Sequence, residues 1–190
     1  MTRLAILDRD GTINVDRADY VKSVDELILI PHAAQAIRQI QQMGFKVVVA
    51  TNQSCIGKGI ITEIQLNKIH QHLQNLLAQE HAAIDKFYVA PDHPDRPTDR
   101  RKPGCGMLAE AMRDFNATPE NTVMIGDALR DIEAAHSAQC HKILVKTGLG
   151  WDAFKCGIPK HLEPVHIVDS LFESIGIVRQ IYETQKKEVL

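Results

Sequence analysis

The sequence lacks paired cysteines. Cys55, Cys105, Cys140 and Cys156 lie far apart, with no CxxC or CxC spacing. This argues against a paired-cysteine zinc site and a disulfide scaffold, and for free thiols in a reducing cytoplasm. There is no apolar run long enough for a bilayer span, so no membrane segment is expected. The first apolar run, residues 4–7, meets charge at once and does not read as a signal peptide. The net charge is only -2, and no basic stretch is interleaved with aromatics. Neither nucleic acid nor an anionic membrane is therefore expected as a partner. There is no internal repeat and no low-complexity tract. What is there is an ordinary globular composition, 44% hydrophobic and 24% charged over 190 residues, read as one domain over 1–190.

Short apolar segments alternate with helical patterns. Residues 4–7, 45–50, 86–90, 122–127, 142–148 and 165–168 read as strands. Pro31 opens and Gly44 closes a helix with Ala33, Ala36, Ile37, Ile40 and Met43 on one face. Thr62 and Gln65 form a candidate capping box before a helix carrying Leu66, Ile69, Leu73, Leu76 and Leu77. Residues 107–115 and 129–138 are shorter helices. The segment around Trp151 reads as a loop, and a last helix ends in QKKEVL, which is expected to fray. The alternation predicts an α/β fold, a Rossmann-like parallel sheet with helices on both faces.

Ligands bind such sheets beyond the carboxyl ends of the strands. Three polar motifs fall there: DRDGT from Asp8, TNQS from Thr51 and GDALRD from Gly126. Two carboxylates one residue apart, Asp8 and Asp10, repel and cost desolvation, so a metal cation is expected to offset them. Asp8, at the end of a rigid strand, suits a nucleophile that forms an aspartyl-phosphate. Asp10 suits a general acid toward a leaving alcohol and then a general base toward water. The acid role needs Asp10 protonated while Asp8 stays ionised, an order that a metal on Asp8 favours. Asp127 completes an oxygen ligand set that fits Mg²⁺. Thr51 and the backbone N–H groups after it, through Asn52, Gln53 and Ser54, can bind phosphate oxygens. Lys102 can neutralise the phosphoryl group in transfer. Arg101 can clamp another anionic part of the substrate. Asp131 reads equally as a ligand or as a supporting, capping residue. Singly, each motif also reads as an ordinary turn or cap; their fixed order, with a strand before three of them, is what favours a site.

DRDGTIN, TNQS, RKP and GDALRD in this order resemble the haloacid dehalogenase-like phosphatases. More narrowly, they are similar to the branch of the D,D-heptose 1,7-bisphosphate phosphatases and histidinol-phosphatases. The resemblance implies a Rossmann-like core with minimal or no cap domain and a Mg²⁺-dependent phosphomonoesterase acting on a small phosphosugar. It implies Asp8 as nucleophile and Asp10 as acid/base. Asp8, the Asp10 backbone carbonyl and Asp127 would hold Mg²⁺. Thr51, Asn52 and Lys102 would bind the transferring phosphate. Arg101 and the loop containing Asp16 and Tyr20 would add substrate contacts.

The chain departs from the branch before RKP. Where a zinc loop with cysteines is common, this chain reads APDHPDRPTDRRKPG, with Asp92 and His93 but no cysteine. One histidine and one aspartate do not make a four-ligand site, so no zinc is expected. Cys55 stands where glycine is usual, and it reads as a small apolar filler. GCGM follows RKP, so the typical Pro-His-Pro stretch is missing. The implied substrate is D-glycero-D-manno-heptose 1,7-bisphosphate, cleaved at C7 by a cytoplasmic monomer. Histidinol phosphate or a broad range of phosphosugars are the alternatives within the class. A non-catalytic phospho-ligand binding module is the alternative outside it. A receiver domain is excluded by the order of the motifs.

Overall fold

The computed structural model describes residues 2–188. Six strands, β1 (Arg3–Leu7), β2 (Phe45–Asn52), β3 (Lys86–Ala90), β4 (Thr122–Gly126), β5 (His141–Val145) and β6 (His166–Val168), pair in parallel in the order β3-β2-β1-β4-β5-β6. The helices are α1 (Ala33–Gln42), α2 (Ser54–Gly57), α3 (Glu63–Gln79), α4 (Gly106–Phe115), α5 (Leu129–Ser137), α6 (Gly150–Cys156) and α7 (Ser174–Glu188).

A parallel sheet needs cover on both faces, and the pleat sorts the side chains accordingly. Ala5, Leu7, Val47 and Val49 face one core with Ile37, Ile40, Leu73 and Val178, so α1, α3 and α7 cover that side. Leu4, Ile6, Val48 and Ala50 face the other with Met107, Leu108 and Ala135, from α4 and α5. The Rossmann-like expectation therefore holds. Three details differ from the sequence reading. Strand β5 stops at Val145, and the chain turns through Gly148 at φ +53°. The segment around Trp151 is the short helix α6; it opens on glycine and has no side-chain cap, which hid it in the sequence. The tail expected to fray continues α7 through Glu188, while Val189 and Leu190 lie outside the described residues.

The register sets up the site. Leu7 pairs with Val49 on one side and Ile125 on the other, so the ends of β1, β2 and β4 lie level. The strand order reverses direction between β1 and β4, which opens a crevice at that point. Two loops border it. Residues 8–32 form a small flap, laced by Val15 N–H donating to Ile28 O (2.8 Å) and Ile30 N–H to Ile13 O (3.0 Å). Ile13 and Ile30 anchor it in the core, so a flap replaces a cap domain. The β3–α4 loop is clasped by Asp92 Oδ2, which accepts from both the N–H and the hydroxyl of Thr98 at 2.6 Å. Among the described residues no helix is long and apolar enough to cross a membrane.

The capping box of α3 is present in both directions. Gln65 N–H donates to Thr62 Oγ1 (3.2 Å), and Thr62 N–H donates to Gln65 Oε1 (2.8 Å). Thr62→Ala should lower stability by about 1 kcal/mol in urea unfolding; an unchanged midpoint would show that α3 is held by its buried face alone.

Candidate active site

At the strand ends a buried lysine gathers two carboxylates. Lys102 Nζ lies 2.9 Å from Asp8 Oδ1 and 2.7 Å from Asp131 Oδ1, and donates to Ala50 O at 2.7 Å. All four residues are buried. Burial opposes the charge on Lys102, but Asp131 and Asp8 outweigh it and hold the ammonium above its usual range. Asn52 fixes the backbone of this lysine: its Nδ2 donates to Lys102 O (2.9 Å) and its Oδ1 accepts from Lys102 N–H (3.0 Å). The sequence reading gave Asn52 to the phosphate. Its side-chain amide faces the backbone of the lysine, because the β2 terminus runs beside the RKP turn, while Asn52 itself lines the pocket with Asp8, Asp10 and Thr51.

Asp127 completes the cluster. One ligand atom each of Asp8, Asp127 and Asp131 lies within 4.8 Å of the others. Asp127 Oδ2 accepts from Leu149 N–H (2.8 Å), while its Oδ1 is buried with no partner. A buried, unpartnered carboxylate oxygen among other carboxylates fits a hard divalent cation. Asp131 Oδ2 caps Ala128 N–H (2.9 Å), and its Oδ1 lies 2.7 Å from Lys102 Nζ inside the same cluster, a placement that suits a supporting residue and a ligand alike. Burial first, then Asp8 and Asp131, push Asp127 up to about 8. Burial likewise raises Asp8 to about 6, with Lys102 pulling against it and Asp131 and Asp10 adding to the rise.

Asp10 is a separate case. Arg9 Nη2 donates to both of its oxygens (2.9 and 2.8 Å), Asn14 Nδ2 to Oδ1 (2.9 Å) and Gln53 Nε2 to Oδ2 (2.8 Å). Burial pushes Asp10 up, but the charge and hydrogen bonds of Arg9, with Asn14 and Gln53, outweigh it and hold the carboxyl low. The expected order, Asp10 protonated beside an ionised Asp8, is thus reversed by the protein's own charges. The reason is Arg9, a fully buried cation between the two aspartates.

Asp8, Asp10, Thr51, Asn52 and Gln53 line a pocket of about 70 Å³, joined by Arg9, Asp16, Arg17, Tyr20, Val21 and Arg130. It has room for several waters. Gln53 Nε2 also donates to Thr51 Oγ1 (2.8 Å), so Gln53 braces Asp10 and Thr51 together. Ser54 lies further out, its hydroxyl 3.4 Å from Tyr20 OH, which also accepts from Lys58 Nζ (2.8 Å). Arg101 is half-buried; burial and then Arg130 hold it below its usual value, and its Nη1 is buried without a partner. Arg9, Asn14, Lys58 and Arg130 were not singled out from sequence, although Arg9 and Arg130 sit inside quoted motifs. The turn at residues 147–149 was also missed. Thr147 Oγ1 donates to Gly11 O (2.5 Å), and a Cβ on Gly148 would meet Asp127 Oδ2 at 2.1 Å.

A sequence model of the family described as HAD-hydrolase-like matches residues 99–174. A D-glycero-beta-D-manno-heptose-1,7-bisphosphate 7-phosphatase of Pseudomonas aeruginosa is 40% identical over 147 residues, 77% of this chain and 83% of that protein. The chain belongs to the haloacid dehalogenase-like phosphatases. A second member, the D-glycero-D-manno-heptose-1,7-bisphosphate 7-phosphatase of Chlorobaculum tepidum, is 35% identical over 186 residues, covering 91% of this chain and 92% of that one. Among solved phosphatases of the family, the D,D-heptose 1,7-bisphosphate phosphatase from B. bronchiseptica complexed with magnesium and phosphate superposes with TM-score 0.89 at 36% identity. That match covers 94% of this chain and 99% of the other.

Cation binding should follow the titration of Asp127 and Asp8. Both folded-state pKa values lie above the ordinary 3.8, so the stability these two contribute falls as pH rises toward about 8. A divalent cation needs them ionised and binds better over the same rise. The thermal shift given by a fixed Mg²⁺ concentration should therefore be larger at pH 8 than at pH 6; an equal shift would place the cation elsewhere. Gly148→Ala, which crowds Asp127, should weaken Mg²⁺ binding about 10- to 100-fold by calorimetry.

Proposed function

We propose that this chain hydrolyses the C7 phosphate of D-glycero-D-manno-heptose 1,7-bisphosphate, as the β anomer, through an aspartyl-phosphate on Asp8. The observation that carries this reading is the pocket that joins Asp8, Asp10 and Thr51 beside the Lys102–Asp127–Asp131 cluster. Relatives bearing the 7-phosphatase name share this chain over most of its length. Asp8 and Asp127 would hold Mg²⁺ with the Asp10 carbonyl, and the cation would supply charge compensation for the phosphoryl oxygens. The unpartnered Asp127 Oδ1 supports that assignment.

In the first half-reaction a carboxylate oxygen of Asp8 attacks phosphorus, and the bond from phosphorus to the C7 oxygen breaks. Asp10 gives its proton to the departing alkoxide. In the second, Asp10 takes a proton from water as the water oxygen attacks phosphorus, releasing phosphate and restoring Asp8. Lys102 balances charge on Asp8 throughout. Arg9 Nη2 donates to both oxygens of Asp10, and the proton that Asp10 needs belongs on Oδ2, where the other donor is the Gln53 amide, because Oδ1 also accepts from Arg9 Nε and Asn14. A half-turn of the Gln53 amide exchanges its NH₂ for its carbonyl, which can accept from a protonated Asp10. Gln53 thus accommodates both states of Asp10.

The phosphate left on the sugar needs cations at the mouth, where Arg101 Nη1 is buried without a partner and Arg130 is close by. Asp16 and Tyr20, in the lining of the pocket, would meet the sugar hydroxyls. The Asp92–Thr98 clasp supports the reading of a β3–α4 loop that holds its shape without zinc. We place the protein in the cytoplasm as a monomer with no nucleic-acid partner. Intact Asp8, Asp10, Lys102 and Asp127 argue against a non-catalytic binding module.

Phosphate release with Mg²⁺ tests the reading on both heptose bisphosphate anomers, histidinol phosphate and common sugar phosphates, with Asp8→Asn as blank. The β anomer should be preferred. Preference for histidinol phosphate, or even activity on every compound, would overturn the substrate. Asp10→Asn should lose about 10²- to 10⁴-fold in kcat.

A further inference from the structure

Arg9 is fully buried, and each edge of its guanidinium has a partner. Nε and Nη2 hold Asp10, and Nη1 lies 3.2 Å from Nε2 of His70 on α3. A guanidinium has only donors, so His70 Nε2 is the acceptor and the ring carries its proton on Nδ1. The ring is 6% exposed and stacks on Phe87 of β3, centroids 4.2 Å apart and planes 12° apart. Burial, and then the charge of Arg9, push His70 down to about 3, so it stays neutral across the working range.

We propose that His70 is a positioning residue for the hydrolysis: as a neutral acceptor it fixes Arg9, and Arg9 in turn fixes the carboxylate of Asp10. The carboxylate contact alone leaves the guanidinium free to rock about that edge. The His70 contact on the far edge removes this freedom and ties Asp10 to α3, an element that contributes no residue to the pocket lining. His70 touches neither substrate nor reacting atoms, so it acts only through Arg9. This inference rests on the reading of Asp10 as acid/base.

Two substitutions separate positioning from packing. His70→Phe keeps a ring against Phe87 and removes the acceptor; His70→Gln keeps an acceptor and removes the ring. On the β-anomer substrate, His70→Phe should lower kcat about 10- to 100-fold, the scale of a small misplacement of a reacting group. KM and the Mg²⁺ dissociation constant should stay within about two-fold, a shift too small to matter on that scale. His70→Gln should recover most of kcat while unfolding at a lower temperature. If His70→Phe keeps full kcat, or if both variants lose kcat in step with their melting temperatures, His70 only packs and the proposal fails. If His70→Phe does not fold, a His70→Gln variant that folds but lacks turnover overturns it equally, and one with turnover upholds it. Asp10→Asn is measured alongside. If Asp10→Asn turns over normally, the acid/base reading falls and this proposal with it. If Asp10→Asn is dead while His70→Phe is unimpaired, only the role of His70 falls.

Discussion

The site depends on one buried ammonium. Lys102 sits between Asp8 and Asp131 and donates to the carbonyl of Ala50, so each of its protons has an oxygen to face. Without it three carboxylates would share one dry space, and none could stay ionised at low cost. A lysine is a compact charge with three donors, and this geometry uses all three, which a planar guanidinium could not match. Asn52 then ties the lysine backbone to the end of β2 through two reciprocal hydrogen bonds. The RKP turn, remote in sequence, is thereby locked to the two central strands.

Two aspartates one residue apart end up in opposite electrostatic surroundings. β1 ends at Leu7, and the turn that follows puts Asp8 beside Lys102 and Asp10 against Arg9. Asp8 has one direct cation partner shared with Asp131, and burial raises its pKa. Asp10 has its own arginine and two amide donors, and its pKa falls. Separated pKa values in neighbouring carboxyl groups are what two different chemical roles require. Here the protein's own charges set the separation in one sense, and a cation held by Asp8 and Asp127 would act in the other. The order that the proposed roles need would thus belong to the loaded site, not to the two residues alone.

The fold was legible because it rests on patterns that sequence carries directly. Apolar strands of about five residues, the Thr62–Gln65 cap and the helical stripes needed no tertiary information. The three motifs at strand ends were legible for the same reason, since a parallel sheet brings those ends to one edge. What was not legible is how side chains pair within the edge. Nothing local to Asn52 reveals that the RKP turn would come alongside and take up its side-chain amide. Arg9 was hidden between two more conspicuous residues. His70 lay on a helix whose buried face already had enough leucine and isoleucine to explain it. Asp131 keeps both of its readings: Lys102 and the Ala128 N–H lie against its two oxygens, yet one of its oxygens also falls within the carboxylate cluster with Asp8 and Asp127.

The turn after β5 shows why such a site tolerates few changes far from its named residues. Asp127 is enclosed by Gly11 on one side and Gly148 on the other; a Cβ at either would fall within 2.2 Å of its Oδ2. Both glycines also have positive φ, +82° and +53°, which other residues adopt with strain. The Leu149 N–H fixes Oδ2 and leaves Oδ1 buried without a partner. Thr147 closes the arrangement by donating to Gly11 O, so the β1 and β5 loops hold each other as well as the aspartate. A carboxylate held this way pays its reorganisation cost during folding and has little left to lose when a cation or a phosphate arrives.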